Sequence, residues 1–400
     1  MELISAKIED FRNYDNEICY FSPRTNVLLG KNAQGKTNLV EAIYFCSIGK
    51  SPRNNNEKDL IKQGKERAKI TLEFVTNAGR KKIEIIINKK GKKVVKINGV
   101  NVLKIADLVG YLKCVFFSPD ELKLIKETPE DRRKFLNTDI SQLSKMYFYN
   151  LIKYNKILNE RNNLLKSSKD EEKVKQTIDV WNEQLASVGA YIIRERLKYI
   201  EKMKEFIVKI HSFLTNNQEK LDILYSSYDT FDINEIKSQL LKQLNESFDK
   251  DFRLGYTNVG PHRDDLKFYI NNTEVKTFAS QGQQRTVALS IKLAEVEIFK
   301  QVAKEYPVLL LDDVLSELDK DRKNNLLKII NRYQTIITTT EIEQNDDLFI
   351  ININSGKIIK TDIIGSFVWK HTNKVKCKSS KTDVNQNCDA TIYRGICASE

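Results

Sequence analysis

Eight residues near the N-terminus, Gly30-Lys31-Asn32-Ala33-Gln34-Gly35-Lys36-Thr37, have the G-x-x-x-x-G-K-[S/T] spacing of a phosphate-binding loop. The chemistry follows from the residue types. Gly30 and Gly35 let the backbone turn so that successive N–H groups converge on an anion. A helix opening at Gly35 adds the positive end of its dipole. Lys36 would then reach the β- and γ-phosphates of a nucleotide, and the Thr37 hydroxyl would ligate Mg²⁺.

Two later stretches could complete such a site. The apolar run Val308-Leu309-Leu310-Leu311 ends in Asp312 and Asp313. Ligands of α/β sheets gather at the carboxyl ends of buried parallel strands. Asp312 would hold Mg²⁺ through water opposite Thr37, and Asp313 would polarise an attacking water. A surface turn after a core strand is the plainer alternative. Ser280-Gln281-Gly282-Gln283-Gln284-Arg285 precedes a helix predicted over 286–304. Serine and glycine at a helix start aim N–H groups at an anion; by itself the hexapeptide also reads as an ordinary N-cap.

The elements that must position these residues are legible around them. Val27–Leu29 reads as a short buried strand, and residues 38–45 have helical spacing with Leu39, Ala42 and Ile43 on one face. Strand, loop, helix is the context a phosphate-binding loop requires. Residues 1–30 read as strand, turn, strand, and the pattern stays β-rich through residues 68–117. Thr128-Pro129-Glu130-Asp131 is a helix start, with a capping hydroxyl, proline at the first helical position and acids beside the dipole. Residues 141–166 and 173–216 carry helical apolar spacing and are broken at Ser167–Asp170, which predicts two antiparallel helices, the second reaching roughly 60 Å. Helical character should end near Lys250. Residues 255–265 form a glycine-bracketed polar loop containing His262 and Arg263, equally readable as a structural lock or a ligand contact. Residues 335–340 are expected to close the sheet.

Totals bound the partners. The chain has 400 residues, 40% apolar and 30% charged, with a net charge of +12. This is ample for a buried core, and no apolar run approaches the ~18 residues of a membrane span. Six scattered cysteines without a C-x-x-C pair indicate neither a disulfide framework nor a zinc site, and the start has no secretory apolar core; the expected address is cytoplasmic. The basic balance favours a polyanion, nucleic acid above all. Lys89, Lys90, Lys92 and Lys93 surround Gly91 in a predicted hairpin. They make either a cationic finger for a DNA backbone or an edge protected from aggregation. Lys50 and Arg53 are further candidate DNA contacts.

Taken together, the motifs resemble an ABC-type ATPase head, and more narrowly the RecF family of bacterial DNA replication and repair proteins, related to the structural maintenance of chromosomes proteins. The resemblance rests on Glu9-Asp10-Phe11-Arg12-Asn13-Tyr14, Gly30–Thr37, Phe117-Ser118-Pro119-Asp120, Gly260-Pro261-His262-Arg263-Asp264-Asp265, Ser280–Arg285 and residues 310–319, and covers about residues 1–364. It implies an α/β P-loop NTPase fold: an ATPase head from residues 1–118 and 253–364, an inserted α-helical arm over 119–252, and a tail over 365–400 that reads as flexible. It implies ATP and Mg²⁺ as cofactors and ATP-dependent homodimers. In these, each nucleotide lies between the 30–37 loop with Lys36 of one subunit and Ser280, Gly282 and Gln283 of the other. It also implies binding to single-stranded, double-stranded and gapped DNA, with RecO and RecR partners that help place RecA at gaps, and no membrane partner. Lys36, Asp312 and Asp313 would carry any hydrolysis. Transporter ATPases usually have Gln where Ser118 falls, Glu where Asp313 falls and His near Thr338–Thr340. Asp313 is one methylene shorter than Glu, which predicts slow turnover and ATP used as a switch. Two other readings compete: a transporter's nucleotide-binding subunit, and a nucleotide-insensitive structural DNA-binding protein. Against the transporter, Gly282 lies 246 positions after Lys36, a gap filled by helical sequence.

Overall fold

The computed structural model describes residues 1–54, 56–167, 170–225, 228–341 and 348–359. The expected tail, with Cys377, Cys388 and Cys397, lies outside them, as does part of the expected break at 167–170. The strands, in chain order, are β1 (Glu2–Phe11), β2 (Tyr14–Tyr20), β3 (Thr25–Leu29), β4 (Arg67–Thr76), β5 (Gly79–Asn88), β6 (Val94–Ile97), β7 (Val100–Val102), β8 (Cys114–Phe117), β9 (Leu221–Tyr225), β10 (Leu266–Ile270), β11 (Thr273–Glu274), β12 (Val308–Asp312), β13 (Thr335–Thr339), β14 (Leu348–Asn354) and β15 (Lys357–Ile359).

Two six-stranded sheets divide the work. The first runs β15-β14-β3-β13-β12-β8. All neighbours in it pair in parallel except the β14–β15 hairpin. Its strands come from both ends of the chain, so β3, which leads into the phosphate loop, lies between β13 and β14 and one strand away from β12. Residues of β12 and β13 are buried throughout, as parallel strands covered on both faces must be. The second sheet, β2-β1-β4-β5-β6-β7, is antiparallel. Alternation sets its inner face: Ala68, Ile70, Leu72 and Phe74 of β4, and Ile83, Ile85 and Ile87 of β5, are buried. Between the sheets lies a core that also takes Leu39, Val40, Ile43 and Phe45 from the helix Lys36–Ile48.

The helices after β8 build a second core. Pro129–Leu143, Lys145–Ser167 and the 44-residue Glu171–Leu214 pack with Ile233–Glu246 and the helix Gln281–Ala303. At 1.5 Å per residue the longest spans about 66 Å. Its buried face, Ile178, Leu185, Ile192, Tyr199, Met203 and Ile207, follows the spacing that defined it in sequence. Among the described residues no helix is long and apolar enough to cross a membrane.

Several boundaries differ from expectation. The stretch 335–340 does not close the sheet: β13 is interior, and β14 and β15 continue beyond β3. The stretch 141–166 is divided at Ser144, whose extended backbone separates two helices. Within the region read as wholly helical, β9 pairs antiparallel with β10, and the boundary expected at 252 falls inside the helix Phe248–Leu254. The helix expected from Thr286 begins at Gln281, because Ser280 and Gln283 form a reciprocal capping box that starts it a turn earlier.

Candidate nucleotide-binding site

The loop at 30–37 is held open from behind. Gly30 cannot carry a side chain, since a Cβ there would stand 2.3 Å from the Ile353 carbonyl oxygen on β14. Gly35 has φ +112°, a backbone conformation that costs other residues free energy, and it caps the helix Lys36–Ile48. Arg12, Asn13 and Tyr14, at the turn into β2, brace the loop. Asn13 Nδ2 donates to the Gln34 carbonyl at 3.1 Å, and Tyr14 Oη donates to the Gly35 carbonyl at 3.0 Å. Arg12 forms a bidentate pair with buried Glu41 on the following helix, at 2.8 and 2.9 Å. From the other side the Gly356 N–H donates to the Gln34 carbonyl at 2.8 Å. The loop's own carbonyls thus accept from side-chain and backbone donors outside it, which preorganises its backbone, while Lys31, Asn32 and Ala33 face solvent.

Lys36 is the charged group inside this cradle. Its Nζ donates to the carbonyls of Gly30 and Lys31 at 2.5 and 2.9 Å. Burial pushes its pKa below the ordinary lysine value, with Asp313 and Asp312 opposing the shift. An ammonium buried against carbonyls is an unneutralised cation, and phosphate oxygens would supply what it lacks.

The structure brings Thr37 and Asp312 together across 275 positions of sequence: Thr37 Oγ1 donates to Asp312 Oδ1 at 2.9 Å. The same oxygen accepts from Thr338 Oγ1 at 2.8 Å, and Thr338 Oγ1 in turn accepts from the Asp313 N–H at 2.9 Å. Burial raises the Asp312 pKa, opposed by Thr338, Thr37 and the nearby Arg53. A hydroxyl and a carboxylate converging at one point are hard oxygen donors of the kind Mg²⁺ takes when it is bound mainly by phosphates and water, so the residues fit that ion. Asp313 is exposed, with φ +52°, and its carboxylate accepts from Ser316 Oγ at 3.0 Å. A cleft of about 580 Å³ lined by Arg12, Asn13, Asn38, Arg53 and Asp59 opens beside the loop.

Ser280, Gly282 and Gln283 stand elsewhere. Ser280 is exposed at the N-cap of Gln281–Ala303; its hydroxyl accepts from the Gln283 N–H, and Gln283 Oε1 accepts from the Ser280 N–H. Gln283 Nε2 donates to Glu219 at 3.0 Å. Among the described residues these bonds stay within the helix start and the segment between the long helix and β9, away from the 30–37 loop.

The lysine hairpin is not a uniform finger. Lys89, Lys90 and Lys92 are exposed, Lys89 being 3.5 Å from exposed Glu66. Lys93 turns inward: its Nζ donates to the Gly49 carbonyl and to Glu57, and it lies over the Phe45 ring. Its ammonium is thus engaged within the fold, unlike those of Lys89, Lys90 and Lys92. Lys50 is exposed, and exposed Arg53 sits beside Asn38, nearer the nucleotide cleft than a separate DNA face.

Of the two readings of His262 and Arg263, the geometry favours the lock. His262 Nδ1 accepts from Tyr154 Oη at 2.8 Å and its Nε2 donates to the Thr257 carbonyl at 3.0 Å, while Arg263 covers the Tyr256 ring and donates to the same carbonyl. Sequence reading had singled out neither Asn13 and Tyr14 as braces of the loop nor Thr338 as the holder of Asp312. The string Arg12-Asn13-Tyr14 was visible as a motif, but its role depends on β1 and β2 lying behind residues 30–37, which no local spacing records.

Comparison with known proteins places the chain by family and fold. The family described as the RecF/RecN/SMC N terminal domain matches residues 2–357. The DNA replication and repair protein RecF of Clostridium novyi (strain NT) is 47% identical over 340 residues, 85% of this chain and 93% of that protein. That of Clostridium perfringens (strain SM101 / Type A) is 44% identical over 343 residues, 86% and 94% of the two chains. A solved structure of the recombination mediator protein RecF with ATP superposes with a TM-score of 0.83 at 37% identity, covering 90% of this chain and 98% of that one. An Smc head bound to the C-winged helix domain of ScpA, at 15% identity and a TM-score of 0.56 over 92% of this chain and 100% of that one, shares the fold alone. The chain shares its fold with the RecF structure, and it belongs to the RecF family of DNA replication and repair proteins.

Proposed function

We propose that this chain binds ATP in the 30–37 loop, dimerises in response and acts on DNA in replication and recombinational repair. One observation carries the reading. Lys36 and the Thr37–Asp312 pair form half a nucleotide site, while the other anion-directed group, the helix start at Ser280–Gln283, is presented to solvent away from it. A second copy, turned to place its Ser280 against the first copy's nucleotide, completes both sites at once. The head would comprise residues 1–118 and 253–364, with the helices of 119–252 as the arm.

In the bound state the loop N–H groups and Lys36 hold the phosphates. Thr37 and Asp312 would hold Mg²⁺, which would neutralise phosphate charge and polarise the terminal phosphoryl group. Asp313 accepts a hydrogen bond from the attacking water. Its short side chain, already engaged by Ser316, reaches that water poorly, so hydrolysis is slow and resets a switch. The basic surface, with exposed Lys89, Lys90 and Lys92, meets DNA phosphates, and RecO- and RecR-type mediators act with the dimer to place RecA at gaps.

The test is molar mass by light scattering with ATP, ADP or no nucleotide, with and without gapped DNA. ATP should double the mass of wild-type protein and leave Lys36→Ala unchanged. Wild-type protein saturated with ATP that remains monomeric at high concentration, even on DNA, refutes the proposal.

A further inference from the structure

A partly buried chain of hydrogen bonds runs from the start of the helix Gln281–Ala303 into the last turn of the long helix, and nothing in the phosphate loop uses it. Gln283 Nε2 donates to Glu219 Oε1 at 3.0 Å, and Glu219 Oε2 lies 3.1 Å from His211 Nε2. His211 Nδ1 lies 2.9 Å from Ser290 Oγ, further along the same helix as Gln283. His211 is wholly buried, three positions before the long helix ends at Leu214. Burial holds its imidazole below the ordinary histidine range, with Arg322 adding to the shift and Glu219 opposing it. With the ring neutral, Nε2 donates to Glu219 and Nδ1 faces Ser290 Oγ, whose single hydroxyl proton serves either Nδ1 or the Thr286 carbonyl 2.7 Å away.

This fixes an orientation as well as a position. The Gln283 carboxamide has two ends: its oxygen accepts from the Ser280 N–H at 2.9 Å and its nitrogen donates to Glu219. Were it flipped, its oxygen would face a carboxylate and its NH₂ would face an N–H donor, so Glu219 permits one orientation only. Arg322 approaches from a third side, pairing with Asp319 at 3.3 Å; its Nη1 stands 3.5 Å from where a Cβ on Gly282 would lie.

We propose that Glu219 is a positioning residue for the Ser280–Gln283 helix start: by accepting from both Gln283 and His211 it sets the face offered to a second copy's nucleotide and ties that face to the end of the long helix. The inference rests on the composite-site reading above, and the experiment separates the two.

Glu219→Ala should leave ATP affinity of the monomer within about twofold of wild type and weaken ATP-driven association about tenfold or more, the size expected for losing hydrogen bonds to a charged acceptor. Glu219→Gln should restore association. Its amide oxygen can accept from Gln283, while its NH₂ donates to His211 Nε2 once the ring proton moves to Nδ1 and is donated to Ser290 Oγ; Ser290 already lies 2.7 Å from the Thr286 carbonyl that would accept its hydroxyl. The deciding measurement mixes variants. Lys36→Ala with Ser280→Arg leaves one of two composite sites intact, and an ATP-dependent heterodimer is expected; its absence overturns the composite site itself. Where that control succeeds, Glu219→Ala should form an ATP-dependent heterodimer with Lys36→Ala and none with Ser280→Arg. Association of Glu219→Ala equal to wild type, loss of its monomeric ATP binding, or the opposite mixing pattern overturns the role of Glu219.

Discussion

The phosphate loop at 30–37 and the loop at 255–265 look alike as sequence: both are polar, carry a pair of glycines and are rich in groups that could hold a ligand. In three dimensions they are opposites. The first is braced from behind, with its solvent side uncommitted and its lysine held only by carbonyls. The second spends its charges inward. Arg196, from the long helix, donates to the Pro261 carbonyl at 2.5 Å and pairs with Asp264 at 3.4 Å; Tyr225 donates to the same carboxylate. Arg132 forms a bidentate pair with Asp265 at 2.6 and 3.0 Å, and fully buried Arg161 reaches Asp251 and Thr257 at 2.8 and 2.7 Å. What separates a binding loop from a structural one is where the partners of its polar groups lie. Missing partners on the solvent side mark a site; internal saturation marks a lock.

The comparison breaks most decisively at Arg196. Arg196→Ala removes the buried guanidinium that pairs with Asp264 and donates to the Pro261 carbonyl, and removing one partner of a buried pair costs about 3–5 kcal/mol. Urea unfolding should register that loss, whereas ATP affinity of the folded protein should stay within about threefold, since Arg196, Pro261 and Tyr225 are not among the groups that brace residues 30–37. A stable variant with abolished ATP binding would mean that the loop belongs to the ligand site after all.

A smaller effect sharpens the same distinction by pH. Burial depresses the His262 pKa to about 4, with the bond to the Thr257 carbonyl opposing the shift. The native ring thus refuses a proton that the unfolded chain takes up below about pH 6.5, and stability present above that pH is lost as it falls toward 4. The full loss is about 3 kcal/mol for this group. His211, depressed in the same direction, contributes to the slope as well. The difference between wild type and His262→Gln isolates the loop: its urea-unfolding profile should be flatter from pH 6.5 to 4.5. Parallel profiles would show that His262 does not titrate as part of the lock.

What could be read without the structure follows from range. The loop at 30–37 and its flanking strand and helix are local, so eight residues and their neighbours carry the whole signal. The 44-residue helix is legible because its apolar period persists for many turns. The placement of β14 beside β3 was not, because parallel neighbours leave no turn between them to announce the pairing. β9 is five residues long and is recognised only through its antiparallel partner β10. The opposed roles of Lys93 and its neighbours were also hidden: four lysines around a glycine say nothing of which one meets Glu57.

That hairpin reproduces the contrast between site and lock within a few residues, and there the expected effects are smallest. Lys89, Lys90 and Lys92 point to solvent, so replacing all three by alanine should change unfolding free energy by no more than about 0.5 kcal/mol. If they meet phosphates, the slope of log affinity against log salt for duplex DNA should fall by up to about 2.7, roughly 0.9 per contact. Lys93→Ala should do the reverse. It removes the bonds to the Gly49 carbonyl and Glu57, costing about 1 kcal/mol of stability, and leaves the salt slope unchanged. A slope that falls with Lys93→Ala and survives the triple substitution would place the DNA surface on the inner side of the hairpin and require Glu57 to release its lysine on binding.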